Sequence, residues 1–83
     1  MNPRVKDVRP EENYRLVITF TNREVRVFDM KPYLSRGVFR ELQDPEMFNS
    51  VRPLLGSIEW RNGQDLCPDT LYLKSKPFDR HAH

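Results

Sequence analysis

Y-R-L-V-I-T-F-T-N-R-E-V-R-V-F-D-M, from Tyr14 to Met30, is the stretch on which the fold turns. In its first half Tyr14, Leu16, Ile18 and Phe20 alternate with Arg15, Val17 and Thr19. In its second half Val25 and Val27 alternate with Glu24, Arg26 and Phe28. Period two in β-branched and aromatic residues is the signature of a strand with one buried face. Thr21-Asn22-Arg23 separates the halves, so the reading is a β-hairpin. A two-residue loop at Asn22-Arg23 sets Phe20 opposite Val25 and Ile18 opposite Val27, which gathers the large aliphatics on one side. Such a loop wants glycine where Arg23 stands, because a Cβ resists positive φ; a longer turn is the alternative. In this register Arg15, Val17, Arg26 and Phe28 share the other face, the candidate interaction surface. With Met30 that face is less polar than a solvated sheet face, so short helices cover it or a partner does.

Working outward, Val5 and Val8 lie between Pro3 and Pro10 at a spacing of three. A regular strand would point them to opposite faces, so a short edge strand with a bulge or bend is expected, with a flexible arm as the alternative. After Met30 the pattern becomes helical but short. Lys31-Pro32-Tyr33-Leu34 reads as one turn, and Val38, Phe39 and Leu42 as an apolar stripe starting near Ser35. Asp44-Pro45-Glu46 has an N-cap acceptor, proline at the first position and a carboxylate in the first turn. Ser50 to Leu55 and Ser57 to Trp60 read as two extended segments around Gly56. Asn62-Gly63 is a strong turn signal, and Pro68 to Tyr72 a closing helical turn. The fold class is therefore α+β: a small antiparallel sheet of N-terminal strand, hairpin and C-terminal strands, with short helices. Residues 1–76 form one domain and 77–83 a flexible tail with His81 and His83.

Eighty-three residues hold one domain. Fourteen Lys+Arg against twelve Asp+Glu leave a net charge of +2, too little for strong attraction to a polyanion. The lone Cys67 excludes an internal disulfide and fits a reducing compartment. The opening M-N-P-R-V-K-D-V-R-P has no apolar run of a secretory signal, and no apolar run is long enough to span a bilayer. A cytoplasmic location without membrane attachment is expected.

Catalytic and metal chemistry find little footing. Cys67 has no base beside it in sequence, and the reading is a small, partly buried apolar residue. One Cys and two terminal His cannot build a zinc site. Asp65 and Asp69, four apart, suit turn capping better than ligation, and Glu59, alternating with Ile58 and Trp60, faces solvent. The glycines at 37, 56 and 63 form no phosphate loop. No enzyme and no cofactor is expected. Arg15 and Arg26 beside Phe28 leave single-strand nucleic-acid binding as an alternative.

The order V-R-P, Y-R-L-V-I-T-F, V-R-V-F-D-M, G-V-F-R-E-L and I-E-W-R-N-G-Q-D-L-C-P-D-T-L-Y resembles the family of domains of unknown function 2442, over roughly Val5 to Tyr72. The most specific part is the closing signature of Trp60, Asn62, Gly63, Asp65, Leu66, Pro68, Asp69, Leu71 and Tyr72. Asp29 matches the family's aspartate at the hairpin end, and Phe39 and Leu42 its short helix. Where the family usually has Asp-Gly or Asn-Gly in the first hairpin, this chain has Asn22-Arg23. The resemblance implies a small bacterial domain, sometimes fused to a helix-turn-helix domain that this chain has no room for. It also implies a small protein encoded alongside, in an arrangement like a toxin–antitoxin pair. The resulting expectation is a non-enzymatic protein-interaction module with a small protein partner. Nucleic-acid binding or transcriptional regulation through the basic hairpin face is the alternative, and a second copy of the chain is a further candidate partner. The signature itself reads as the latch of the fold, with Trp60, Leu66, Leu71 and Tyr72 covering a thin sheet.

Overall fold

A computed structural model describes residues 2–78. Strand β1 (Val5–Glu11) pairs antiparallel with β2 (Arg15–Phe20), which pairs with β3 (Val25–Asp29). Two 3-10 segments, Lys31–Tyr33 and Gly37–Gln43, lead to the four-residue helix α1 (Pro45–Phe48). A second antiparallel sheet follows from β4 (Arg52–Leu54), β5 (Ser57–Glu59) and β6 (Asp65–Leu66). Helix α2 (Pro68–Lys74) then leads into β7 (Lys76–Pro77), which returns to the first sheet beside β3. The α+β class is as expected: two antiparallel sheets, in orders β1-β2-β3-β7 and β4-β5-β6, with short helices.

The hairpin forms, one residue out of the expected register. Its loop is Thr21-Asn22-Arg23: Arg23 N–H donates to Phe20 O at 2.9 Å and Phe20 N–H to Glu24 O at 2.8 Å. Asn22 Oδ1 accepts from Glu24 N–H, and Arg23 takes φ 74° to close the turn. Ile18 therefore faces Arg26 and Leu16 faces Phe28. Because side chains alternate with period two, this slip exchanges the faces of β3. Phe28 goes into the core, 1% exposed, while Val25 turns outward. A phenylalanine buries more apolar area than either valine, so this register also hides the larger side chain.

In β1 the expected bulge lies between Val5 and Asp7. The extra residue rotates the strand so that Val5 and Val8, three apart, both reach the core. The core joins Leu16, Ile18, Phe20, Phe28 and Met30 of the hairpin to Phe39, Leu42 and Phe48 of the helical segments, and to Ile58, Trp60 and Leu71. Asp44 caps α1 through Glu46 N–H, as its sequence indicates.

The second sheet departs from expectation in having a third strand. Trp60 N–H donates to Gln64 O and Gly63 N–H to Trp60 O, both at 2.9 Å. That loop, Arg61-Asn62-Gly63, repeats the construction of the first: Asn62 Oδ1 accepts from Gln64 N–H, and Gly63 takes φ 89°. The turn brings Asp65 and Leu66 back beside Glu59 and Ile58. Pro77 lies in β7, and Phe78 N–H donates to Val25 O at 3.0 Å. His81 and His83 lie outside the described residues.

Candidate functional surface

Trp60 is fully buried, and its indole Nε1–H donates to Phe48 O at 3.1 Å. The bond joins the second sheet to α1, while the ring packs near Phe48 with centroids 6.5 Å apart. Asn62 Nδ2 donates to Glu41 Oε2 at 2.8 Å, tying the following loop to the 3-10 segment. Leu71 is fully buried, and Leu66 and Tyr72 pack against the core from half-buried positions. The signature side chains thus hold elements together.

Its acids take other places than the expected ones. The N-terminus of α2 has no side-chain cap: Cys67 occupies the capping position and offers its carbonyl to Leu71 N–H. Asp69, in the first turn, accepts from Asn2 Nδ2, and Asp65 lies exposed in β6 opposite Glu59. Cys67 is exposed, not partly buried. Asp29 accepts from Lys31 N–H at 2.9 Å, just ahead of the Lys31–Tyr33 segment, whose capping position is Met30. Among the described residues no group of three or more His, Cys, Asp or Glu could hold a metal ion. Nor is any helix among them long and apolar enough to cross a membrane.

The four residues expected to share an interaction face are separated. Phe28 is in the core and Val17 is 8% exposed; the register slip accounts for Phe28, and Arg9 and Val27 flank Val17 on the neighbouring strands. Arg26 turns to the core side, where its guanidinium donates to Ser75 Oγ and Ser75 O, each at 2.7 Å, and lies 4.9 Å over the Tyr72 ring. Only Arg15 remains exposed. Arg26 is therefore a clasp between the hairpin and the end of α2. The Tyr72 hydroxyl hydrogen-bonds Glu24, which lowers the Glu24 carboxyl below its usual range and raises the Tyr72 phenol above its own.

A different feature breaks the rules of a self-contained fold. The β4–β5 connection is the two-residue turn Leu55-Gly56, with φ 51° and 84°. Positive φ at both positions belongs to a type I′ turn, whose first position favours Asn, Asp or Gly. Here it holds a leucine 91% exposed, with Leu54 beside it at 36%. The turn is anchored from below: Gly56 O accepts from Val5 N–H at 2.9 Å, and the Arg4 side chain fills the space a Cβ at Gly56 would need. The sequence singled out Gly56 as a break between strands; the Leu-Gly order in a two-residue turn was the available signal for Leu55.

At the far end of β1 lies a groove of about 590 Å³ lined by Pro10, Glu11, Glu12, Asn13, Tyr14, Pro45, Phe48 and Asn49. Its wall is built by two consecutive residues at positive φ, Asn13 at 62° and Tyr14 at 59°. Tyr14 was expected to lie in the strand. It sits in the turn before β2, with its ring edge-on to Phe48 at 5.2 Å and its hydroxyl donating to Gln43 O.

A small α+β domain with two antiparallel sheets and an indole-centred latch is thus the class of object. The chain belongs to the family described as "Protein of unknown function (DUF2442)", whose model matches residues 5–77. Comparison with curated proteins and with solved structures gave no match.

Proposed function

We propose that this domain is a non-enzymatic protein-interaction module whose contact point is the Leu55 tip of the β4–β5 hairpin. The observation that supports it is the combination of strain and exposure at one residue. A non-glycine residue held in a sparsely populated backbone region costs of order 1–3 kcal/mol, and such positions cluster at functional sites. Leu55 bears that cost at φ 51° while remaining 91% exposed, so the isolated fold recovers almost nothing by burying it. A partner pocket would recover about 1.5–3 kcal/mol for a leucine taken out of water.

The partner in this reading is a small protein, in line with the toxin–antitoxin-like pairing that the family resemblance implies. The nucleic-acid alternative through the hairpin face loses its aromatic to the core and Arg26 to Ser75. The test is cross-linking and mass spectrometry on the tagged chain at native levels, wild type beside Leu55→Asn. A partner retained by the wild type and released by the variant is expected. A partner retained equally by both would remove Leu55 from the reading.

A further inference from the structure

We infer that Asn62-Gly63 is a site of spontaneous covalent modification gated by the latch: deamidation waits for the loop to open, and its product no longer closes it. Of the five asparagines only Asn62 precedes glycine; Asn2 precedes Pro3, and Asn13, Asn22 and Asn49 precede Tyr14, Arg23 and Ser50. The difference is chemical. Attack on an asparagine carboxamide uses the backbone nitrogen of the next residue. A following side chain crowds that nitrogen, proline has no N–H to give up, and glycine leaves it open.

The step balances with water as its only co-reactant. Gly63 N loses its proton and attacks Asn62 Cγ; the N–Cγ bond forms, the Cγ–Nδ2 bond breaks, and ammonia leaves carrying that proton. Water then opens the cyclic imide at one of its two carbonyls. Opening at Cγ gives aspartate at position 62. Opening at the backbone carbonyl gives isoaspartate, whose main chain runs through Cβ and Cγ and is one atom longer.

The closed loop withholds each part of that reaction. Gly63 N–H donates to Trp60 O at 2.9 Å, so the proton that must leave is held. The carboxamide is tied at both polar atoms: Oδ1 accepts from Gln64 N–H at 3.1 Å, and Nδ2 donates to Glu41 Oε2 at 2.8 Å. The Gln64 bond polarises Cγ, which favours attack, but no attack begins while the nucleophile keeps its proton on Trp60 O. Reaction is confined to openings of the loop, which cost less than unfolding the whole domain. Neither product restores the closed state. Aspartate at position 62 has no donor for Glu41 and sets a second carboxylate beside it, where like charges repel. Isoaspartate lengthens the chain between Trp60 and Gln64 and so displaces β6 along β5.

The rate arm incubates wild-type protein at mildly alkaline pH, folded and in guanidinium, and maps the exchange of NH2 for OH at each asparagine by peptide mass spectrometry. Unfolded, Asn62 should react ahead of the other asparagines. Folded, it should react at least about tenfold more slowly, the factor one charge-assisted hydrogen bond supplies. Glu41→Ala, at an exposed position, should raise the folded rate severalfold and leave the unfolded rate unchanged. Equal rates folded and unfolded, or a folded rate indifferent to Glu41→Ala, overturns the gate. The product arm uses Asn62→Asp, which keeps the acceptor for Gln64 N–H and loses only the donor to Glu41. Its Tm should fall by roughly 4–8 °C. Adding Glu41→Gln, whose amide offers the new carboxylate a donor, should recover most of that fall. A Tm of Asn62→Asp equal to that of the wild type, or no recovery in the double variant, overturns the loss of closure.

Discussion

Trp60 is the residue on which the latch reading depends most, and its removal can be sized from the structure. The indole is fully buried, and it supplies the bond to Phe48 O that joins the second sheet to α1. Truncating a buried tryptophan to alanine costs about 3–5 kcal/mol. At roughly 0.05–0.15 kcal/mol per residue, a domain of this length has on the order of 4–12 kcal/mol in all. Trp60→Ala should therefore leave a marginal or unfolded chain. Trp60→Phe is the more informative variant, because it keeps an aromatic ring while leaving the Phe48 carbonyl without its donor. Lost area and hydrogen bond together should cost about 1–2 kcal/mol. In a domain of this size that lowers Tm by roughly 4–8 °C per kcal/mol. The assay is urea and thermal unfolding followed by circular dichroism. Trp60 is the only tryptophan, so the wild type can also be followed by its own fluorescence, which should be blue-shifted when folded and move red on unfolding. An emission maximum already that of a solvated indole, or an unchanged Tm in Trp60→Ala, would refute the latch.

Three further outcomes follow from other contacts. Arg23 at φ 74° and Gly63 at φ 89° occupy equivalent places in two similar loops. Arg23→Gly should therefore stabilise by about 0.5–1 kcal/mol and Gly63→Ala destabilise by a similar amount or more, read as urea midpoints; the same sign for both would contradict the shared loop geometry. Arg26→Met removes two charged hydrogen bonds to Ser75, so stability should fall by about 1.5–3 kcal/mol, with faster hydrogen exchange at the Phe78 amide that ties β7 to Val25. The Glu24–Tyr72 bond lowers the carboxyl and raises the phenol. The stability it adds is present between the two ordinary pKa values. It is lost as pH falls through the lowered Glu24 value and again as pH rises through the raised Tyr72 value. The Tm difference between wild type and Tyr72→Phe should accordingly be largest near neutrality and shrink at both extremes; a difference independent of pH would show that the bond does not form.

Much of the fold was legible because its signals are local. Alternation marked the hairpin, Asp44-Pro45-Glu46 the start of α1, and the spacing of Val5 and Val8 the bulge. The register was not legible, because it depends on one residue of loop length, and Arg23 adopts a conformation its side chain disfavours. That single slip moved Phe28 inward and turned Arg26 to Ser75, while Arg15 on β2 stays exposed. Strands β6 and β7 are two residues each, too short to show a period, and exist through their neighbours. Tyr14 looked like a strand residue since its spacing from Leu16 is right; its contacts with Gln43 and Phe48 are long-range and invisible in the pattern. Leu55 was hidden for the opposite reason: an apolar residue in an extended segment reads as ordinary until the turn places it at the tip.

The central claim is that Leu55 is held out of the fold at the fold's expense. The equilibrium stability of Leu55→Asn tests it most directly, because asparagine tolerates positive φ and suits the first position of a type I′ turn. The account predicts a gain of about 1 kcal/mol, seen as a higher urea midpoint with an unchanged slope. A midpoint below that of the wild type would mean that Leu55 stabilises its own domain, and would contradict the account.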